Sequence, residues 1–193
     1  MKISSVLVYS FLVIAVTLHS CGYNYPLRKK HTHPLTPAFS GEFENHSYQI
    51  KGRNLYTEKT SVLHEFEIFP AADSSVRIKF DSSQNLLLTY HNGINFSTIS
   101  FNGRFKKNGS YQIWLRRKRI EIPPLFPIFY SQIDIKRLRL VLDLEDNLVI
   151  HDKWARTANV FIFAAGGSGK YNSYFRKYKV KVKVKAIGST KIE

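Results

Sequence analysis

From Phe39 onward the chain offers short alternating runs rich in Ile, Val, Phe, Tyr and Thr, and Asn, Gly, Asp or Ser interrupts them. That period matches a strand with one buried face, and no long segment carries the i, i+3, i+4, i+7 apolar spacing of a helix. Strands are expected at 41–50, 63–69, 75–80, 85–91, 94–106, 110–117, 136–144, 148–152, 159–165 and 174–186. Residues 81–85, Asn92 with Gly93, Asn108 with Gly109, Asp146 with Asn147, and the 166–169 glycine cluster fall between them. They supply the positive φ or side-chain-closed turns that hairpins require. With turns about 8 to 12 residues apart, the pattern predicts an all-β fold with little helix. The expected architecture is a single antiparallel meander, closed as a barrel or stacked as a sandwich.

The final run alternates most strictly. In 174–186 (YFRKYKVKVKVKA), Lys179, Lys181, Lys183 and Lys185 alternate with Val180, Val182, Val184 and Ala186, so the lysines share one face. Such a face is either the solvated side or guarded edge of a half-buried strand, or a cationic stripe that binds. A short pattern occurs twice: Phe39-x-Gly41-x-Phe43 leads to Ser47, Tyr48, Gln49, Ile50, and Phe101-x-Gly103-x-Phe105 leads to Ser110, Tyr111, Gln112, Ile113. The repetition reads either as two similar hairpins, each glycine bending a strand at a barrel edge, or as a chance similarity among β-hairpin sequences. Residues 122–130 (IPPLFPIFY) form the most apolar loop, and three prolines keep it out of a central strand. It reads as a loop folded over one end of the core or as an exposed apolar lip.

The N-terminus has a different character. Lys2 precedes an apolar stretch, 3–17 (ISSVLVYSFLVIAVT), with the layout of a secretory signal peptide. The stretch is shorter than the roughly 20 apolar residues of a membrane span and contains three serines. The chain has a single cysteine, Cys21, at the end of this segment, so no disulfide can form within the chain. Residues 22–38 (GYNYPLRKKHTHPLTPA) have three prolines, basic residues and no periodicity, as a tether has. Expected organisation is therefore a signal peptide at 1–20, a flexible tether at 21–38, a β domain at 39–187 and a tail at 188–193.

Twenty-nine Lys and Arg against 14 Asp and Glu give a net charge of +15, which favours anionic partners. Basic residues cluster at 28–30, 104–107, 116–119, 136–139 and 176–185, with Tyr111, Trp114, Tyr171, Tyr174, Phe175 and Tyr178 among them. Trp114, Arg116, Lys181 and Lys183 are the candidate ligand-binding residues. An exported chain would not meet nucleic acid as its normal partner. Anionic lipid, lipopolysaccharide phosphate, acidic envelope polymers or an outer-membrane protein are the expected neighbours.

Catalytic signatures are weak. Gly167, Ser168, Gly169 and Lys170 look like half of a phosphate loop, but Ala164 stands where the first glycine belongs and Tyr171 replaces the Ser or Thr. His31 and His33 form an H-x-H pair without an assigned third ligand. His46, His64, His91 and His151 are scattered, and Glu65, Glu67, Asp143, Glu145, Asp146 and Asp152 pair only if the fold brings them together. No catalytic residue, metal or cofactor is assigned, and the chain is expected not to be an enzyme.

The run Leu18, His19, Ser20, Cys21, Gly22 resembles the lipobox of bacterial lipoproteins. An ordinary cleaved signal with an incidental cysteine and an uncleaved signal anchor are the alternatives. The resemblance implies a diacylglyceryl group on the Cys21 thiol, cleavage before Cys21, acylation of the new amine and, since Gly22 rather than Asp follows, the outer membrane. The β-rich remainder is similar to small lipoproteins of the Bacteroidota, with the lipocalin barrel as architectural analogue; Phe43 stands where the lipocalin G-x-W pattern has tryptophan. Together these imply a membrane-anchored, non-catalytic envelope protein whose basic β domain binds an amphipathic or anionic ligand. The alternatives are a structural or accessory lipoprotein of an outer-membrane assembly, and an enzyme acting on envelope polymers.

Overall fold

The alternating runs fold as strands that divide between two sheets. The computed structural model describes residues 31–52, 59–69, 74–122, 130–160 and 163–179. Among them are β1 Ser40–Glu44, β2 Gln49–Gly52, β3 Ser75–Phe80, β4 Leu86–His91, β5 Phe96–Phe101, β6 Gly103–Phe105, β7 Tyr111–Ile122, β8 Tyr130–Leu142, β9 Leu148–Val160 and β10 Phe163–Phe175. A four-stranded antiparallel sheet runs β1-β3-β4-β5, and a six-stranded one runs β2-β10-β9-β8-β7-β6. Cys21, Lys181, Lys183 and residues 123–129 of the proline-rich loop lie outside the described residues.

The two sheets stack as a sandwich. Phe43, Val76, Ile78, Leu86 and Leu88 of the small sheet meet Tyr111, Ile113, Leu138, Leu140, Leu148, Ile150 and Phe175 of the large one. Period-2 alternation makes these one continuous apolar layer. The Tyr111 hydroxyl, at the buried end of its ring, donates to the Gln84 carbonyl at 2.8 Å. The arrangement is not a closed barrel. The expected strand 94–106 instead breaks at Asn102, so β5 ends in one sheet and β6 begins in the other. The expected strand 41–50 likewise divides into β1 and β2 in different sheets. After β10 the chain changes sheet and follows the free edge of β1: Glu44 N–H donates to the Arg176 carbonyl and Tyr178 N–H to the Glu42 carbonyl, both at 2.8 Å. The strand expected at 174–186 therefore ends its run in the large sheet at Phe175.

Three hairpins use the same turn. In 81–85 and 143–147 the leading Asp accepts hydrogen bonds from both the backbone and the side-chain amide of an Asn four residues on, at 2.8–3.1 Å. The fourth residue, Gln84 or Asp146, has φ near +60°. In 106–110 Gly109 takes that left-handed position, with φ 77°. The glycine cluster at 166–169 behaves otherwise: it lies within β10, not in a turn. A Cβ on Gly169 would sit 2.7 Å from Trp154 Nε1, so the missing side chains make room for an indole lying across the strand. For the same reason the half phosphate loop opens no helix. The expected strand 148–152 extends to Val160 as β9, and the expected strand 159–165 divides instead between the end of β9 and the start of β10, with 161–162 outside the described residues.

The stretch 63–69, read as a strand, instead contains a one-turn helix, α1 Val62–Glu65. Ser61 caps it, its Oγ accepting from His64 N–H at 3.0 Å, and Asn45 Oδ1 accepts from Leu63 N–H at 3.2 Å. Val62, Leu63 and Phe66 are buried, a helical rather than alternating spacing. Part of the expected tether is also docked. His33 bridges to Leu142, and Leu35 is buried, its N–H on the Gly109 carbonyl at 2.8 Å. The repeated pattern is not a pair of hairpins. Only its second copy forms one, β6 with β7; the shared device is a glycine beneath an aromatic ring, Phe39 over Gly41 and Tyr111 over Gly103.

Leu140→Ala is expected to lower unfolding free energy by about 2–5 kcal/mol, because Leu140 is fully buried between the sheets. Leu144→Ala, in an exposed turn, should change it by less than about 0.5 kcal/mol. Urea unfolding of the two variants checks both.

Candidate anion-binding face

Strands β7 to β10 have 12 or 13 residues, whereas those of the small sheet have five or six. The large sheet therefore extends past the sandwich. Its inner face carries Leu138 and Ile150 under the small sheet and then turns polar in the rows Arg116, Lys136, Trp154, Gly169 and Lys118, Asp134, Arg156, Gly167.

Where the core gives way to this extension, two carboxylates meet in the interior. Glu65 of α1 is 0% exposed and Asp152 of β9 1%. Ser173 Oγ donates to Glu65 at 2.7 Å, and the Tyr171 hydroxyl lies 3.1 Å from Glu65 and 3.4 Å from Asp152. Lys136 Nζ lies 3.5 Å from both Asp152 and Glu67, and Glu67 pairs with Arg116 at 3.0 Å. Burial first, and the neighbouring Asp152 charge second, push the Glu65 carboxyl up to about 7. Burial also raises Asp152, which Lys136 opposes. Glu65 therefore holds its proton more tightly than a solvated carboxyl does, and Lys136 offsets part of the cost of charge on Asp152. Tyr171, buried beside both carboxylates, is held far above the usual phenol range. Closed off from solvent, the pair braces α1 against β9 and β10.

The outer face of the same sheet is cationic. Cross-strand register sets Arg104, Gln112, Arg139, His151, Asn172 and Lys51 side by side. Beyond them come the rows Trp114, Arg137, Lys153, Lys170; Arg117, Ile135, Ala155, Ser168; and Arg119, Ile133, Thr157, Gly166. None of these described residues is Asp or Glu. The Trp114 ring carries two guanidiniums, Arg137 at 5.4 Å and Arg117 at 5.5 Å. Crowding of like charge registers on the neighbours. Burial, then Arg139, lowers Arg137; desolvation, then Arg104, Arg139 and Arg137, lowers Lys106. His151 is held below its usual range by burial and then by Arg139, Arg137 and Lys170, against the raising effect of the hydrogen bond its Nδ1 donates to Asn172 Oδ1 at 2.6 Å. Arg139 Nε is buried without a hydrogen-bond partner. Such a face can accept several anionic oxygens at once through charge-assisted hydrogen bonds.

Trp114 and Arg116 do not share a surface. Strict alternation would place them together, but the register shifts between them, pairing Trp114 with Arg137 and Arg116 with Lys136. The bulge turns Arg116 to the inner face, where Glu67 and Asp134 hold it. The run 136–139 divides as well, with Lys136 inside and Arg137 and Arg139 outside. Alternation with the buried Leu138 and Leu140 was the signal that could have singled out that arginine pair. His33, half of the H-x-H pair, lies 3.3 Å from Asp146. Among the described residues no cluster of three His, Cys, Asp or Glu has metal-site geometry.

Comparisons with protein-family models, with curated proteins and with solved structures gave no match.

Linkage gives the Glu65–Asp152 pair a definite pH signature. Because the folded state keeps a proton that the unfolded state releases above about pH 4.5, the stability from protonated Glu65 is complete below that pH. It is lost as pH rises through about 7. His151 acts in the opposite sense, since its lowered folded pKa costs stability as pH falls below 6.5. Glu65→Gln isolates the carboxyl contribution. It should be more stable than the wild type at pH 8 by roughly 1–3 kcal/mol and equal to it near pH 4.5, as measured by denaturant unfolding across pH.

Proposed function

We propose that this protein is a membrane-anchored, non-catalytic binding module of the cell envelope, held at the outer membrane through lipidated Cys21, whose sheet face binds anionic partners. The observation that carries the reading is the outer face of the six-stranded sheet: eight Lys and Arg side chains in four successive rows that contain no carboxylate. Filled packing between the sheets supports recognition on a surface rather than carriage of a ligand inside, since large side chains from both sheets occupy the interlayer space. The buried Glu65–Asp152 pair is closed to substrate and fits a structural role. A basic, surface-binding domain suits the phosphate-rich neighbourhood that a lipid anchor would give it.

The accessory reading draws on one further observation. Ile94 and Phe96 are about four-fifths exposed at the start of the edge strand β5, an apolar contact suited to a protein neighbour.

Salt elution from an immobilised sulfated polysaccharide tests the main reading. The wild type should be retained, and Arg137→Gln/Arg139→Gln/Lys153→Gln should elute at clearly lower salt. Arg77→Gln/Lys79→Gln, on the opposite sheet, should elute with the wild type. Equal elution of all three would exclude the outer face as the binding surface. Loss of acyl-chain labelling in Cys21→Ser checks the anchor.

A further inference from the structure

We propose that the outer face of the six-stranded sheet lies flat against the anionic phospholipid headgroups of the membrane to which the chain is tethered. The inference rests on the anchored-binding reading and adds to it the partner and the orientation.

The shape of the charge distribution favours a surface over a single strand of polymer. Rows on one face of a strand repeat about every 7 Å, and neighbouring strands are about 4.8 Å apart. The four rows therefore spread their cations over an area on the order of 20 by 25 Å. A linear polyanion crossing that area would meet one line of charges, whereas a layer of headgroups meets the exposed Arg104, Lys51, Lys153, Arg117 and Arg119 together. Trp114 stands within the array with Arg117 and Arg137 stacked on its ring. An indole is suited to the headgroup zone, and stacking holds both guanidiniums in place for phosphate oxygens.

Chain path brings the same face within reach of the anchor. His33 is bridged to Leu142 at the end of β8, and Arg139 lies three residues back along that strand, about 10 Å away. Residues 22–30, between Cys21 and the first described residue, span at most about 30 Å when extended. Arg28, Lys29 and Lys30 add three more cations to that connection. A domain tethered so closely beside a cationic plane lowers its free energy by turning that plane to anionic lipid.

The test uses residues 21–193 with Cys21→Ser, which removes both the anchor and the chain's single thiol. Co-sedimentation with vesicles of phosphatidylcholine containing 30 mol% phosphatidylglycerol should exceed that with pure phosphatidylcholine and weaken as salt rises. Adding Arg137→Gln/Arg139→Gln/Lys153→Gln should cut the vesicle partition coefficient roughly 100-fold, with circular dichroism confirming the fold. Orientation is read from single labels. A fluorophore on Ser168→Cys, on the outer face, should be shielded from an aqueous quencher on the anionic vesicles, and one on Lys79→Cys, on the opposite sheet, should remain accessible. Equal binding to both vesicle types, or shielding of the Lys79→Cys label instead, would overturn the proposal. Retention on the sulfated polysaccharide without vesicle binding would overturn the membrane orientation while leaving anion binding intact. Loss of both would remove both.

Discussion

A mismatch in strand length governs this molecule. Strands of 12 and 13 residues in β7 to β10 face strands of five and six across the core, so the small sheet covers only one end of the large one. Under the cover, alternation gives a dry layer of Leu, Ile, Val, Phe and Tyr. Beyond it, the same two-residue period continues with polar and charged side chains on both faces. The boundary is therefore also a boundary of dielectric, and it is there that Glu65, Asp152, Lys136 and Tyr171 meet.

That location explains the character of the buried cluster. Two carboxylates at the edge of a core cannot both ionise cheaply, so one keeps its proton while a lysine supports the other. The brace ties α1, a single turn with little intrinsic stability, to two strands of the large sheet. Further out, where solvent reaches the sheet, Arg116, Asp134 and Arg156 pair on the inner face while the outer face gathers cations without carboxylates between them. One sheet thus carries ion pairs on its inner face and a concentration of Lys and Arg on its outer face, and the bulge beside Trp114 decides on which side Arg116 falls.

Legibility followed the physics of each element. The turn at 81–85 could be read because an Asp four residues before an Asn closes it with its own carboxylate, whereas at 143–147 only Asp146 and Asn147 stand out and the alternation carries Asp143 into the strand before them. The 166–169 glycines misled because glycine serves a turn and a close ring contact equally well, and Trp154 stands twelve residues or more away in sequence. The 63–69 run misled because one turn of helix and a short strand differ by little in apolar spacing. In the candidate face, Trp114 was visible as an aromatic among bases, but its two arginine partners come from its own strand and from a neighbour, and only register names the second.

The sequence by itself determined the all-β class, the antiparallel hairpins and an excess of positive charge, because period, turn chemistry and composition are local or additive properties. Tertiary structure decided that the strands form two stacked sheets instead of a barrel, that Glu65 and Asp152 share an interior, and which basic residues lie together. Those outcomes depend on where strands change sheet and on the phase of each long strand relative to its neighbours. A shift of one residue moves a side chain to the opposite face, and contacts distant in sequence fix that phase.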